Sequence, residues 1–273
     1  MAELLTCIGV LGYAIGTWLL SQHFRWSTSG EAILALPPMP WVALALLVHA
    51  GALYLSIVSA DGLNLSFMNA ASLIAWSIAT ILATATLIRP LITLGLIVWP
   101  FAALVLVLAA VFPGEHMLRP EIGLGVRVHA TLSILAYSLL AIGACQAILL
   151  YVLEYGLRHR KPGIFLRALP PMQLQEQLLL QWVGLGFFLL SLSLASGMMF
   201  VEDFFAQHLV HKSTLSIAAW AIFGGVLWGR WRHGWRGRTL VGLCLAGFAV
   251  LVLAYFGSKL VLEVILGRSW TRG

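Results

Sequence analysis

The charged residues of this chain enclose eight long stretches that contain no charge at all. The stretches are between 17 and 29 residues long. A helix needs roughly 20 apolar residues, at about 1.5 Å each, to cross the hydrocarbon core of a bilayer. Seven stretches reach that length, and the eighth, 213–229, reaches it if the flanking Lys212 or Arg230 snorkels toward the headgroups. We therefore predict an all-α polytopic membrane protein built as a bundle of eight transmembrane helices.

The composition supports a membrane protein and argues against a soluble one. Of the 273 residues, 61% are apolar and 10% are charged, whereas soluble domains carry about 25% charged residues. The apolar runs are continuous and do not alternate, which excludes a transmembrane β-barrel. No loop is long enough for a separate soluble domain, so we predict one membrane domain over 1–273. Its predicted spans are 3–20, 41–58, 66–88, 91–112, 124–153, 178–200, 213–229 and 239–265.

The distribution of basic residues predicts how the chain is oriented. With eight spans both termini lie on the same side, and placing them outside puts ten of the 16 lysines and arginines in inner loops. Basic residues concentrate in cytoplasmic loops. We therefore predict a multi-pass protein of the plasma (inner) membrane with both termini on the outer, periplasmic side. The net charge of +6 then reflects topology and contact with membrane lipid, and no nucleic-acid binding is expected.

Histidines are the residues inside the predicted spans that could carry chemistry. His49 lies eight residues into the second span, His129 about five residues into the fifth, and His211 just before the seventh. Two neutral imidazoles from different helices can ligate a haem iron. The alternative for each is a histidine that hydrogen-bonds to a neighbouring helix. His129 and His211 are predicted at the same outer level, which favours a shared metal site, and His49 is a reserve ligand nearer the midplane.

Four segments carry a resemblance to a known family. They are HATLSILAY (129–137), HKSTLSIAAW (211–220), LWGRWRHGWRGR (227–238) and LAYFGSKLV (253–261). Together with the eight-helix layout they resemble the cytochrome c assembly family, the CcsA/ResC/HemX-type membrane proteins, and within it the inner-membrane YpjD branch. The resemblance implies a protein that binds haem b and presents it near the outer face. It also implies partners among haem-delivery or cytochrome assembly proteins, with His129 as the outer-face haem histidine.

The chain departs from the cytochrome c synthetases of that family at two places. The Trp-rich outer loop that ends in Trp-Asp is missing, because 201–211 reads VEDFFAQHLVH. The second outer histidine is missing too, since 258–273 contains no histidine. The expectation is therefore haem handling without synthetase-type enzymatic activity.

The remaining candidate residues lie around the arginine-rich segment and on the fifth span. Arg230, Arg232, Arg236 and Arg238 fall within nine residues beside two tryptophans, which predicts a headgroup anchor. The alternative is that Arg236 and Arg238 bind haem propionates, with His233 as an entry-side ligand. Tyr137 follows His129 by eight residues and shares nearly the same helix face. Two other functions stay open: a small-molecule or ion transporter that uses His49 and the glycine-rich helices as a pathway, and a cofactor-free scaffold subunit of a membrane complex.

Overall fold

The architecture comes from a computed structural model. It describes residues 2–29, 37–59, 62–114, 117–118, 123–159, 169–200 and 210–257. The side chains of 25–29, 117–118 and 210–211 lie outside this description.

Eight long helices make up most of the described chain, and three very short strands lie between them. The helices are α1 (Ala2–Ser29), α2 (Met39–Ile57), α3 (Phe67–Thr86), α4 (Gly95–Val111), α5 (Leu124–Arg158), α6 (Met172–Phe200), α7 (Val210–His233) and α8 (Gly237–Val252). A 3-10 turn, Ile92–Leu94, precedes α4, and a π-helical turn, Leu253–Gly257, continues α8. The strands are β1 (Val58–Ser59), which pairs antiparallel with β2 (Gly62–Asn64), and β3 (Met117–Leu118).

Seven of these helices, all but α7, are long and apolar enough to cross a membrane. The exception, α7, has 24 residues, but Lys212, Arg230 and Arg232 lie within it and lower its mean hydropathy. It corresponds to the shortest of the eight uncharged stretches. The prediction of an all-α polytopic membrane protein with eight helices is confirmed.

The helix ends differ from the predicted spans where hydropathy and backbone hydrogen bonding give different limits. The first helix continues to Ser29, and α6 begins at Met172, six residues before the predicted start at 178. The polar segment 173–177 is therefore helical, and it begins where the amides of Leu174 and Gln175 donate to the carbonyl of Pro171. A charged or amide side chain ends an apolar run without interrupting the helix. Residues 258–265 of the last predicted span lie outside the described residues.

The chain divides into two compact units. Unit 1 comprises Met1–Met117 and Leu149–Gln175, and unit 2 comprises Leu118–Ile148 and Glu176–Gly273. The single membrane domain expected over 1–273 stays a prediction.

Close helix packing in unit 1 depends on glycines of α1. A Cβ at Gly12 would lie 2.9 Å from the Cβ of Ala45, and one at Gly16 would lie 2.7 Å from Val42 Cγ2. The absence of side chains at these positions lets α1 and α2 approach closely, as small residues do between membrane helices. The third helix packs against both α2 and α4.

In unit 2, α5 and α6 also meet at a glycine. A Cβ at Gly186 would lie 2.7 Å from Leu140 Cγ. Also in unit 2, α7 packs against α8 and against the π-helical turn that follows it. These contacts bring the helices of the candidate site together.

Candidate functional site

The His129 imidazole of α5 is hydrogen-bonded to the backbone of α6. Its Nδ1 lies 2.9 Å from the carbonyl oxygen of Ser193 and 3.3 Å from Ser196 Oγ. A carbonyl oxygen only accepts, so Nδ1 carries a proton, and in the neutral imidazole Nε2 keeps its lone pair. No residue in the described part of the chain hydrogen-bonds to Nε2. The ring is partly buried, and it presents the nitrogen that a metal would bind.

Three serines around His129 tie the two helices together. Ser133 Oγ donates to the His129 carbonyl over 2.7 Å and lies 2.7 Å from Ser193 Oγ. Because Ser133 has only one hydroxyl proton, Ser193 is the donor in the second bond. Ser196 Oγ donates to the Ser193 carbonyl at 2.9 Å. The position of the His129 ring is therefore fixed by a network that crosses from α5 to α6.

Tyr137 lies eight residues after His129 on α5, inside an aromatic cluster. Its ring centroid is 5.5 Å from that of Phe248, 6.4 Å from Tyr255 and 5.7 Å from Phe256. Tyr255 and Phe256 belong to the π-helical turn, and such turns are frequent at functional sites. The LAYFG segment is part of the family resemblance. Its aromatic rings pack against α5, the helix that carries His129.

The beginning of α7 lies beside this cluster. The Lys212 ammonium is 5.8 Å from the centroid of the Tyr255 ring. His211 precedes Lys212 in the first turn of α7, and its side chain lies outside the described residues. The predicted pairing of His129 with His211 therefore stays a prediction. Within the described ranges, no group of three or more His, Cys, Asp or Glu residues could hold a metal ion.

His49 is placed in unit 1, in a closed polar network. Its ring is fully buried, with Nδ1 3.2 Å from the Tyr13 hydroxyl and Nε2 2.9 Å from Ser72 Oγ. The network joins α1, α2 and α3. Since both ring nitrogens already have partners, His49 packs helices together and offers no lone pair to a ligand in this arrangement.

The arginine-rich segment forms the turn between α7 and α8. Gly234 and Gly237 have positive φ angles of 67° and 55°, a region that favours glycine. The Trp235 ring packs directly on Gly229, and the Trp235 amide donates to the Gly229 carbonyl at 3.3 Å. The geometry of the turn therefore accounts for the glycines at positions 229, 234 and 237.

A buried carboxylate that sequence reasoning missed holds this turn. Glu176 of α6 is 5% exposed, and its Oε1 accepts the backbone N–H of Gly237 at 3.1 Å. Its Oε2 is 3.7 Å from Arg230 Nη1 and 3.9 Å from Arg236 Nε. Arg236, the N-cap of α8, makes no side-chain cap hydrogen bond, so Glu176 takes that role. The only sequence signal was one acid in the polar segment 173–177.

The predicted site residues therefore fall into separate places. His129 and Tyr137 lie on α5, and His49 lies in unit 1. His233, whose exposed ring stacks on Trp235, lies with Arg236 and Arg238 at the α7–α8 turn. His233 follows His211 by 22 positions in α7, so the two positions are about 33 Å apart along the helix. One haem cannot contact both.

Comparison with known proteins shows the family. The family described as "Cytochrome C assembly protein" matches residues 41–266. This chain belongs to that family. It is 36% identical over 225 residues to the inner membrane protein YpjD of Escherichia coli K12, covering 81% of this chain and 85% of the relative. The resemblance suggested by segments 129–137, 211–220, 227–238 and 253–261 is confirmed.

More distant relatives extend the family. An uncharacterized 28.8 kDa protein of Azospirillum brasilense is 33% identical over 147 residues, which is 53% of this chain and 54% of the relative. The cytochrome c biogenesis protein CcsA of Thermosynechococcus vestitus is 24% identical over 180 residues, which is 52% of this chain and 56% of that protein. No solved structure gives a significant match. Family membership supports a role of the cytochrome c biogenesis type.

Proposed function

We propose that this membrane protein handles haem at the end of unit 2 where α5 begins, with His129 as the residue that would hold the iron through Nε2. It holds and presents the haem and does not turn over a substrate. The observation that carries this proposal is the 2.9 Å hydrogen bond from His129 Nδ1 to the Ser193 carbonyl.

The chemistry of this hydrogen bond suits a metal ligand. Histidines that bind metals usually donate their other ring N–H to a carbonyl, a carboxylate or water, which orients the ring and increases the basicity of the ligating nitrogen. Haem iron can be held by a single proximal histidine. A bound haem would supply an iron for Nε2 to bind, and the donor set around His129 fits that requirement.

Another histidine makes a similar hydrogen bond in a different setting. His159 Nδ1 is 2.8 Å from the Tyr155 carbonyl, but both residues belong to the last turn of α5 and its exposed end. Its ring packs at a tilt of 33° against Tyr155, with centroids 4.1 Å apart. The His129 bond instead joins two helices and leaves the ring partly buried, which favours His129 as the ligand.

Helix geometry supports His211 as the second ligand of the proposed site. Trp220 Nε1 of α7 donates to Ser191 Oγ of α6 at 2.8 Å. Nine residues lead from Trp220 to His211, a rise of about 14 Å. The path to His129 runs two residues along α6, from Ser191 to Ser193, whose hydroxyl contacts Ser133 of α5. It then runs four residues along α5, from Ser133 to His129, so the total rise is about 9 Å. The two backbone positions then differ by about 5 Å in level, a difference that side chains can bridge.

The membrane location and the partners belong to the same proposal. A relative that is 36% identical is an inner membrane protein by name, and we place this chain there too, with both termini on the outer side. Its partners are then haem-delivery or cytochrome assembly proteins.

The transporter alternative relied on His49 as part of a pathway, and the bonded, fully buried His49 does not favour it.

An absorbance titration tests the proposal. The detergent-purified full chain is titrated with hemin, and empty micelles serve as the blank. We expect a Soret band that saturates at one equivalent and α bands on reduction. A spectrum that stays identical to hemin in empty micelles would contradict haem handling, and flux of a solute in proteoliposomes would then support a transporter.

A further inference from the structure

The turn between α7 and α8 exposes aromatic and basic side chains together. Trp228 and Trp231 are 58% and 77% exposed, and their rings meet edge to face at 5.4 Å. Arg232 at the end of α7, Arg236 at the N-cap of α8 and Arg238 in its first turn are exposed too. We call these five residues the arginine surface.

The arginine surface rests on a rigid base. Glu176 receives the Gly237 amide and lies near Arg230 and Arg236, and Arg230 Nη1 also donates to the Trp235 carbonyl at 3.0 Å. The turn is therefore held by contacts from α6, α7 and α8. A preorganised turn binds a ligand without first paying the entropy of ordering itself.

Arg232 and Arg236 keep donors for a further anion. A guanidinium carries five N–H donors, and Arg236 contacts Glu176 only at 3.9 Å with 67% of its side chain exposed. Arg232 forms no ion pair with any carboxylate among the described residues. Among the described residues Glu176 is the one buried carboxylate, and because Arg230 and Arg236 share it, its one negative charge does not neutralise both.

We propose that the arginine surface binds the phosphate headgroup of an anionic phospholipid, and that Glu176 positions it. Arginine binds phosphate through two parallel hydrogen bonds. Tryptophan is enriched at the level of the headgroups, and the two exposed indoles place this turn at that level. Lipid phosphates therefore surround the guanidinium groups, and the charges are complementary.

Haem propionates carry similar anionic oxygens, but they suit this surface less well. The proposed haem ligands lie at the other end of unit 2, about 33 Å away along α7. No histidine of the turn is held like His129, because the exposed His233 ring stacks on Trp235 with centroids 6.0 Å apart. The surface and the haem site are therefore separate.

The test is a lipid titration of the detergent-purified full chain. Phosphatidylglycerol and phosphatidylcholine are added separately, and bound lipid is counted by native mass spectrometry. We expect tighter binding of phosphatidylglycerol. The double variant R232Q/R236Q should weaken it by about 25-fold, at about fivefold for each lost charge near the headgroups. The matched control R89Q/R158Q removes two exposed arginines elsewhere and should change the affinity less than twofold.

Two further variants protect the test against misfolding of the turn. R232Q alone leaves every Glu176 contact in place and should still cost about fivefold. E176D keeps the negative charge but draws the carboxylate back from the Gly237 amide and the two arginines, and it should reduce the preference for phosphatidylglycerol over phosphatidylcholine, with phosphatidylcholine binding unchanged. Equal binding of the two lipids, or equal losses in R232Q/R236Q and R89Q/R158Q, would overturn the proposal. Hemin that displaces phosphatidylglycerol from the wild type would assign the surface to propionates and also overturn it.

Discussion

His129 Nδ1 and the Ser193 carbonyl oxygen are joined by a 2.9 Å hydrogen bond between α5 and α6. The acceptor belongs to the main chain, so no substitution at 193 removes it. The orientation of the imidazole depends instead on how closely the two helices pack. Gly186 permits that packing, because a Cβ there would meet Leu140.

The buried network of unit 1 should contribute to stability. Replacing Tyr13 by Phe removes the hydroxyl that lies 3.2 Å from His49 Nδ1 and leaves a buried polar nitrogen unpaired. We expect a loss of about 1–3 kcal/mol in the free energy of unfolding, seen as a lower Tm in detergent. Tyr54→Phe is the matched control, because Tyr54 is 65% exposed. Equal Tm values for the two variants would show that the network does not stabilise unit 1.

The contact between α1 and α2 should not tolerate a larger residue at Gly16. A valine there would press on Val42, which is fully buried. We expect Gly16→Val to cost about 1–3 kcal/mol, measured as a lower Tm or reduced abundance. Gly225→Val is the control, since a Cβ at Gly225 has no described atom within 4 Å. A stable Gly16→Val protein would mean that the two helices can separate.

The orientation of the chain can be measured with reporter fusions. Alkaline phosphatase attached after Gly273 should be active, because the basic residues predict that both termini lie outside. The same enzyme fused after His159 should be inactive at equal expression. The reverse pattern would invert the orientation and place the His129 end of α5 in the cytoplasm.

The fold was largely predictable because long stretches between charged residues indicate where the membrane helices lie. Eight uncharged stretches predicted eight helices, and even the doubtful stretch, 213–229, corresponds to the helix of lowest hydropathy. Helix ends were less predictable. The segment 173–177 is polar by composition but helical by hydrogen bonding, since Pro170 and Pro171 set the start of α6 and hydropathy does not.

The site was predictable in part. Sequence singled out His129 and Tyr137, and the structure gives both residues specific partners. It could not show that His49 has partners on both nitrogens, because Tyr13 and Ser72 lie on other helices. It also missed Glu176, which is 54 residues from Arg230 in sequence. Long-range pairing of this kind leaves no local pattern.

The histidines should differ in their effect on haem. His211→Ala removes the second proposed ligand and should weaken hemin binding by at least about 10-fold, the lower limit for loss of an outer-shell partner at a metal site. His49→Ala should leave hemin affinity unchanged, because its ring is bonded within unit 1. Hemin titrations of the two variants, each shown to be folded by its elution from a sizing column, make this comparison. Greater loss in His49→Ala than in His211→Ala would move the site to unit 1.

The most direct measurement is the hemin affinity of His129→Ala, compared with the wild type and with His159→Ala. The control removes a histidine whose Nδ1 makes a similar bond to a carbonyl at the other end of α5. We predict that His129→Ala loses more than about 100-fold in affinity, beyond the range for a supporting residue, and loses the Soret band of the complex. His159→Ala should match the wild type. Equal hemin binding by His129→Ala and the wild type would contradict the account.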